Sequence, residues 1–175
     1  MVRGPHVAEG KIVDVITANV DYAPTFADIA NIAIPNFVDG RSFLPYINGF
    51  RTESWRAVML LESGGAQSIN RGSKNPLFEV QDPFDIDLLD NAKYTIPAFT
   101  GLRLAKNPFN DNGPLTYIAY DTDEKELYFL DRDPYQLENS WVVADETLKT
   151  KLDAWTKLLR AAKGQALRDI EQTPP

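Results

Sequence analysis

The 175-residue sequence contains no cysteine and a single histidine, His6. The first absence excludes disulfides, a cysteine nucleophile and any thiolate metal site. The second excludes a multi-histidine metal centre made from these residues alone. No apolar run comes near the roughly 20 residues that a membrane-spanning helix needs. Residues 1–10 hold no long apolar stretch of the signal-peptide kind. The order Val2-Arg3-Gly4-Pro5 reads as a strand end entering a turn, as if from the middle of a longer fold. Positive charge is also short: 18 Lys and Arg stand against 25 Asp and Glu, for a net charge of −7. The basic residues are scattered rather than gathered on one stretch, which argues against nucleic acid as a partner.

What is present is enough for a folded domain with a real core. Apolar residues make up 43% of the chain and charged residues 25%, which excludes disorder of the whole. Lys11 to Ala18 is a short apolar segment, ambiguous between strand and helix. Asn19 or Asp21 can cap a helix with Pro24 in its first turn, which places Val20, Phe26, Ile29 and Ala30 near one face. Asp39 to Ser42 is a turn. Ser42 can cap a short helix from Phe43 to Ile47, and Ala57 to Leu61 reads as a strand. Residues 63–96 break every period with glycine, proline and acidic residues, and read as a long surface excursion.

From Ala98 the pattern is that of an antiparallel sheet: strands at Phe99–Leu104, Thr116–Tyr120 and Glu126–Leu130, joined by polar turns. A final helix from about Asp145 to Ala162 carries Leu148, Leu152, Trp155, Leu158 and Leu159 at helical spacing. Gly164 is its expected stop, and the tail from Glu171 to Pro175 is expected to be loose. Strands beside helices, with late antiparallel pairing, give an α/β (α+β) fold class.

Three segments, in this order, resemble the C-terminal region of sulfatases. The first runs from Val2-Arg3-Gly4-Pro5 through Asn19-Val20-Asp21-Tyr22-Ala23-Pro24-Thr25 to Asp39-Gly40-Arg41-Ser42. The second is Gly101-Leu102-Arg103 followed by Tyr117-Ile118-Ala119-Tyr120. The third is the most specific: Glu126-Leu127-Tyr128-Phe129-Leu130, then Asp133-Pro134, then Glu138-x-Asn. Phe129 stands where the family usually has Asp, and His6 where it usually has Gly. The ending Ala162-x-Gly164-x-x-Leu167-Arg168 is similar to a Cys-x-Gly-x-x-Cys-Arg ending of N-acetylglucosamine-6-sulfatase-like members, with both cysteines replaced.

This resemblance implies the end of an alkaline phosphatase-like α/β domain over residues 1–62. The 63–96 excursion follows, and then a small antiparallel sheet packed by a C-terminal helix over 97–170. It also implies sulfuric ester hydrolysis by a formylglycine made from a Cys/Ser-x-Pro-x-Arg motif, with Ca²⁺ on the sulfate oxygens. Those groups belong to a part of the family that precedes the Val-Arg-Gly-Pro segment, so this chain is expected to hold no catalytic residue, metal ligand or cofactor. Its partner would be a separate N-terminal catalytic part, and the substrate of the whole enzyme a sulfated sugar or aryl sulfate. The family's compartments are extracellular, periplasmic or lysosomal. The competing reading is an inactive stand-alone binding module that keeps the fold without the chemistry.

Within the chain, Glu62 and Ser63 end a strand and Arg103 sits on another, which makes these three the candidates for a substrate-facing role. Asp39 and Arg41 are expected to lock their turn as an ion pair rather than to hold an anion. His6 is expected to be a turn residue. Asp82, Asp85, Asp87 and Asp90 offer oxygen ligands, but a run of acids without caging turns is more often solvated surface. Trp55 and Trp141 offer faces for a sugar ring, while Trp155 falls in the helix's apolar stripe and is expected in the core.

Overall fold

The computed structural model describes residues 2–50, 55–64, 97–106 and 113–173. Its centre is an open four-stranded antiparallel sheet in the order β1 (Val58–Ser63), β2 (Phe99–Leu104), β3 (Leu115–Tyr120), β4 (Lys125–Phe129). The register pairs Leu60 with Leu102, Leu102 with Tyr117, and Tyr117 with Leu127. One row of alternate residues therefore lines a single face. The β3–β4 turn closes where Asp123 takes a positive φ of 68° and Tyr120 N–H donates to the Glu124 carbonyl at 2.9 Å.

A long helix, which we number α3 (Glu146–Ala161), covers that face. Asp145 caps it by accepting from the N–H groups of Thr147 at 2.9 Å and Leu148 at 3.2 Å. Leu148, Leu152, Trp155 and Leu159 are buried against Val58, Leu102, Leu104, Leu115, Tyr117 and Leu127. Leu158, expected in the apolar stripe, stands 46% exposed, and Thr156 occupies the buried position instead with its hydroxyl on the Leu152 carbonyl. The stripe follows 148, 152, 155, 156 and 159, and position 158 falls on its flank.

The N-terminal part is less regular. A 3-10 turn at Asn19–Asp21 leads into α1 (Tyr22–Ile29), and α2 (Leu44–Ile47) follows. Lys11 to Ala18 forms neither strand nor helix. The strand read at Ala57–Leu61 is β1, and it is an edge of the same sheet as β2–β4, so it sits with the later residues. The excursion read at 63–96 lies, from residue 65, outside the described residues.

One reading of the C-terminal end is extended and another corrected. The helix read to end before Gly164 does end there, at Ala161, but Gly164 does more than stop it. It opens a further helix, α4 (Gly164–Gln172), at a φ of +57°, with the Asn36 carbonyl oxygen 2.3 Å from where a Cβ would stand. Only glycine meets both conditions. Glu171, assigned to a loose tail, is 2% exposed and sits among charged partners in the interior. Local sequence gave no sign of this, because those partners are more than a hundred residues away.

Candidate functional site

The distinguishing feature of α1 is that its sidedness is inverted. The residues it buries are Pro24 and Thr25, with Asp21 just before it at 0% exposure. The apolar residues expected on one face are in water: Val20 at 43% exposure, Phe26 at 64% and Ile29 at 58%. Tyr22 stacks on Phe26 and meets Phe43 edge-on, so the exposed side chains form a connected aromatic surface. A surface helix ordinarily does the reverse.

The cause is a buried charge network. Asp21 receives Arg56 in a two-pronged contact, Nη1 to Oδ2 at 2.8 Å and Nη2 to Oδ1 at 2.9 Å. It also accepts the Ala18 and Arg41 N–H groups, each at 2.8 Å. Arg56 Nε lies 3.0 Å from Glu171 Oε2, off the N–H axis, so this contact is Coulombic rather than a hydrogen bond. Arg41 donates to the same carboxylate oxygen from Nη2 at 3.0 Å and Nε at 3.2 Å, and to the Arg168 carbonyl. The Asp39–Arg41 turn is therefore not locked by an internal pair. Asp39 caps α4 through the Gly164 N–H at 2.5 Å, and both side chains reach into the C-terminal helix. Gly40 between them packs on the Val20 carbonyl, where no Cβ fits.

Burial raises the pKa of Asp21, but the Arg56 hydrogen bonds, the two N–H donors and the Arg56 charge overcome it, and the carboxyl lies below its ordinary 3.8. Glu171 goes the other way: burial outweighs Arg56 and Arg41, and it lies above 4.5. The signs of linkage differ accordingly. Asp21 adds stability that is present above pH 3.8 and lost as pH falls through its depressed value. Glu171 adds stability that is present below pH 4.5 and lost as pH rises through its elevated value. Urea unfolding followed from neutral pH downward is expected to show stability rising slightly towards pH 4.5 and falling below 3.8. Glu171→Gln should remove the first slope and keep the second; a slope below pH 3.8 of zero would contradict the Asp21 assignment.

The three substrate-facing candidates do not converge. Glu62 shares the helix-covered face of the sheet and makes an exposed contact with Arg160 of α3 at 3.4 Å. Ser63 and Arg103 lie on the opposite face, where Ser63 pairs with Phe99 and Arg103 with Met59. Ser63 is four strand positions from Met59, about 13 Å along β1. Arg103 is half-buried and hydrogen-bonds Thr116 Oγ1 at 3.4 Å. Burial lowers its pKa, and the Asp14 carboxylate acts against that. Asp14 in turn lines a groove of about 550 Å³ with Lys11–Val15, Tyr46, Gly49 and Phe50.

His6 is exposed in a turn at a φ of 63°, beside a second groove. Trp155 is in the core as expected, whereas Trp141 stacks on Tyr117 at 5.3 Å beneath the Lys125 and Lys149 ammonium groups. Trp55 donates to the Ile16 carbonyl and meets Tyr46 edge-on. Among the described residues no three His, Cys, Asp or Glu side chains gather in a way that holds a metal ion. The acidic run at Asp82, Asp85, Asp87 and Asp90 lies outside them.

Comparison with known proteins points in one direction. The profile described as N-sulphoglucosamine sulphohydrolase, C-terminal, matches residues 1–63. N-acetylglucosamine-6-sulfatase of Bos taurus is 28% identical over 177 residues, which take in 96% of this chain and 30% of the relative. The chain is similar to the C-terminal region of sulfatases. The extracellular sulfatase SULF-1 homolog of Drosophila melanogaster is 40% identical over 68 residues, 37% of this chain and 6% of the relative.

The fold is shared by several solved structures. A protein in complex with its substrate D-glucosamine-2-N,6-O-disulfate matches with a TM-score of 0.55 at 19% identity, over 88% of this chain and 25% of that one. A 2-O GAG sulfatase matches at 0.52 and 21%, over 98% and 33%. Phosphonate monoester hydrolase of Silicibacter pomeroyi matches at 0.53 and 22%, over 91% and 27%. At these identities the likeness is one of fold. The chain spans about 30% of the length of the curated N-acetylglucosamine-6-sulfatases it matches.

Proposed function

We propose that these residues form one wall of the substrate cleft of a sulfuric ester hydrolase acting on a sulfated amino sugar. The nucleophilic formylglycine and the Ca²⁺ belong to a catalytic portion outside them, either in the same polypeptide or as a separate chain. Residues 1–62 would complete that portion's α/β domain and residues 97–170 would form the small sheet beside it. The observation that carries this reading is α1, which buries Asp21, Pro24 and Thr25 and exposes Phe26 and Ile29. An ordered helix that keeps its apolar side in water is built to meet another surface. The names of the relatives, N-acetylglucosamine-6-sulfatase among them, support the substrate class.

In that setting Arg103 and Ser63, on the face of the sheet away from α3, would face the cleft. Arg103 would offer the N–H donors that no described residue engages to an anionic group of the substrate, since a planar guanidinium suits sulfate and carboxylate oxygens. Glu62, held to Arg160, would support the rim from the other face. The chemical step itself rests on positive charge placed around the transferring sulfuryl group, and none of that placement is assigned to this chain.

The test is turnover of an aryl sulfate and of N-acetylglucosamine 6-sulfate. The 175-residue chain with Ca²⁺ is expected to show none. The same residues joined to a portion bearing Cys/Ser-x-Pro-x-Arg are expected to turn over, with Arg103→Ala raising KM more than it lowers kcat. Turnover that follows the isolated chain through purification, or a joined protein that is folded and inert, would end the proposal.

A further inference from the structure

Lys11 to Thr17 is the stretch of the N-terminal part whose backbone is least used. Among the described residues none of its N–H groups donates a hydrogen bond, and the one carbonyl engaged is that of Ile16, which accepts from Trp55 Nε1 at 2.8 Å. The side chains from Ile12 to Thr17 read Ile-Val-Asp-Val-Ile-Thr, β-branched at every position except Asp14 and free of proline and glycine. Ile12 is 96% exposed and Val13 44%. A β-branched run with a free backbone is the composition and state of an unpaired edge strand. Among the described residues no proline, bulge or covering element protects this edge, and its charges are Lys11 and Asp14.

We infer that residues 11–17 pair main chain to main chain with the edge of a β-sheet in the catalytic portion of the sulfatase. This inference rests on the function proposed above, and it names the contact by which the two portions join. The occupant follows from length: relatives that match 96% of this chain extend well beyond it, with about 30% of their own length matched. The segment is held ready at both ends. Ile16 is tied to Trp55, the Ala18 N–H is tied to Asp21, and Asp14 lies within electrostatic reach of Arg103 on β2. The exposed apolar side of α1 follows it directly in the chain. Strand and helix face would then engage one body together, the strand supplying register and the helix apolar area.

The experiment is amide hydrogen exchange on the joined enzyme, compared with the 175-residue chain alone. A strand added at an edge directs alternate N–H groups to its partner. Alternate amides between 12 and 17 are therefore expected to slow by at least about a hundredfold on joining. Proline placed singly at positions 12, 13, 14 and 15 should weaken association in a period-two pattern, and threonine at the sensitive positions should restore it. Amides 11–17 that stay fast in an associated, active enzyme would overturn strand pairing and leave the function proposed above standing. Protection of the same amides in a homodimer of this chain alone would overturn the choice of partner. Failure of the two portions to associate or turn over would sink both.

Discussion

Arg56→Met is expected to destabilise the chain by about 3–5 kcal/mol, the range for breaking a buried ion pair by removing one partner. Arg56 is 2% exposed and holds two carboxylates at once, Asp21 at 2.8 Å and Glu171 at 3.0 Å. Methionine keeps much of the volume but leaves Asp21 facing only the N–H groups of Ala18 and Arg41. Arg56→Lys should recover a minor part, because a single ammonium cannot span both carboxylates with the geometry of a guanidinium. Urea denaturation with an unchanged m-value is the measurement. A loss below about 1 kcal/mol would mean that the network is a by-product of the fold rather than a part of what holds it.

The second large effect is a gradient of order along the chain. Amides of β2, β3 and α3 are expected to exchange at least about a hundredfold more slowly than those of α1 in the isolated, dilute protein. The buried cluster that holds the sheet to α3 lies within residues 58–167, and α1 is not part of it. At eight residues α1 is too short to be stable by its own propensity. Its outward side chains contribute no burial, and each few hundred Å² of apolar surface left in water forgoes several kcal/mol. The polar contacts of Asp21 with Arg41 and Arg56, of Thr25 with the Phe43 N–H and of Asp28 with Ser42 are what tie it down. Uniformly slow exchange over residues 12–30 in a demonstrated monomer would refute the gradient and favour an independent binding module. Self-association that rises with concentration would be the same exposed surface finding a substitute partner.

What the sequence made legible was whatever is local. The period-two runs at 99–104 and 115–120 became β2 and β3, and the leucine spacing after Asp145 became α3. In each case the periodicity of the side chains and the geometry of the element agree. What stayed hidden was whatever depends on distant partners. Asp39 and Arg41 look like a local pair, and nothing near them announces that their partners are Gly164 and Glu171. Gly164 read as a stop because glycine commonly follows a helix. Its actual task, to pass the chain against the Asn36 carbonyl at a positive φ, is invisible without the second strand of chain. The apolar residues of α1 were placed on one face by their spacing, and they stand exposed there; amphipathicity tells which residues share a side and says nothing of whether this polypeptide fills it. Of the site candidates, Glu62 and Ser63 were read together as substrate-facing although alternation along a strand puts them on opposite faces, and Arg103 could be related to Asp14 only through the fold.

The buried charges also bear on how this protein can change. Asp21, Arg41, Arg56 and Glu171 sum to zero, and no member touches fewer than one opposite charge. A single substitution to an apolar residue leaves an odd charge in a dry place, while an all-apolar replacement of the four leaves none and can be neutral or better. Between those two states every intermediate that lacks one or three of the four carries an odd buried charge and is worse than either end. The set is thus a small valley in sequence space with walls on each side, and four positions spread over 151 residues are bound to move through it as one.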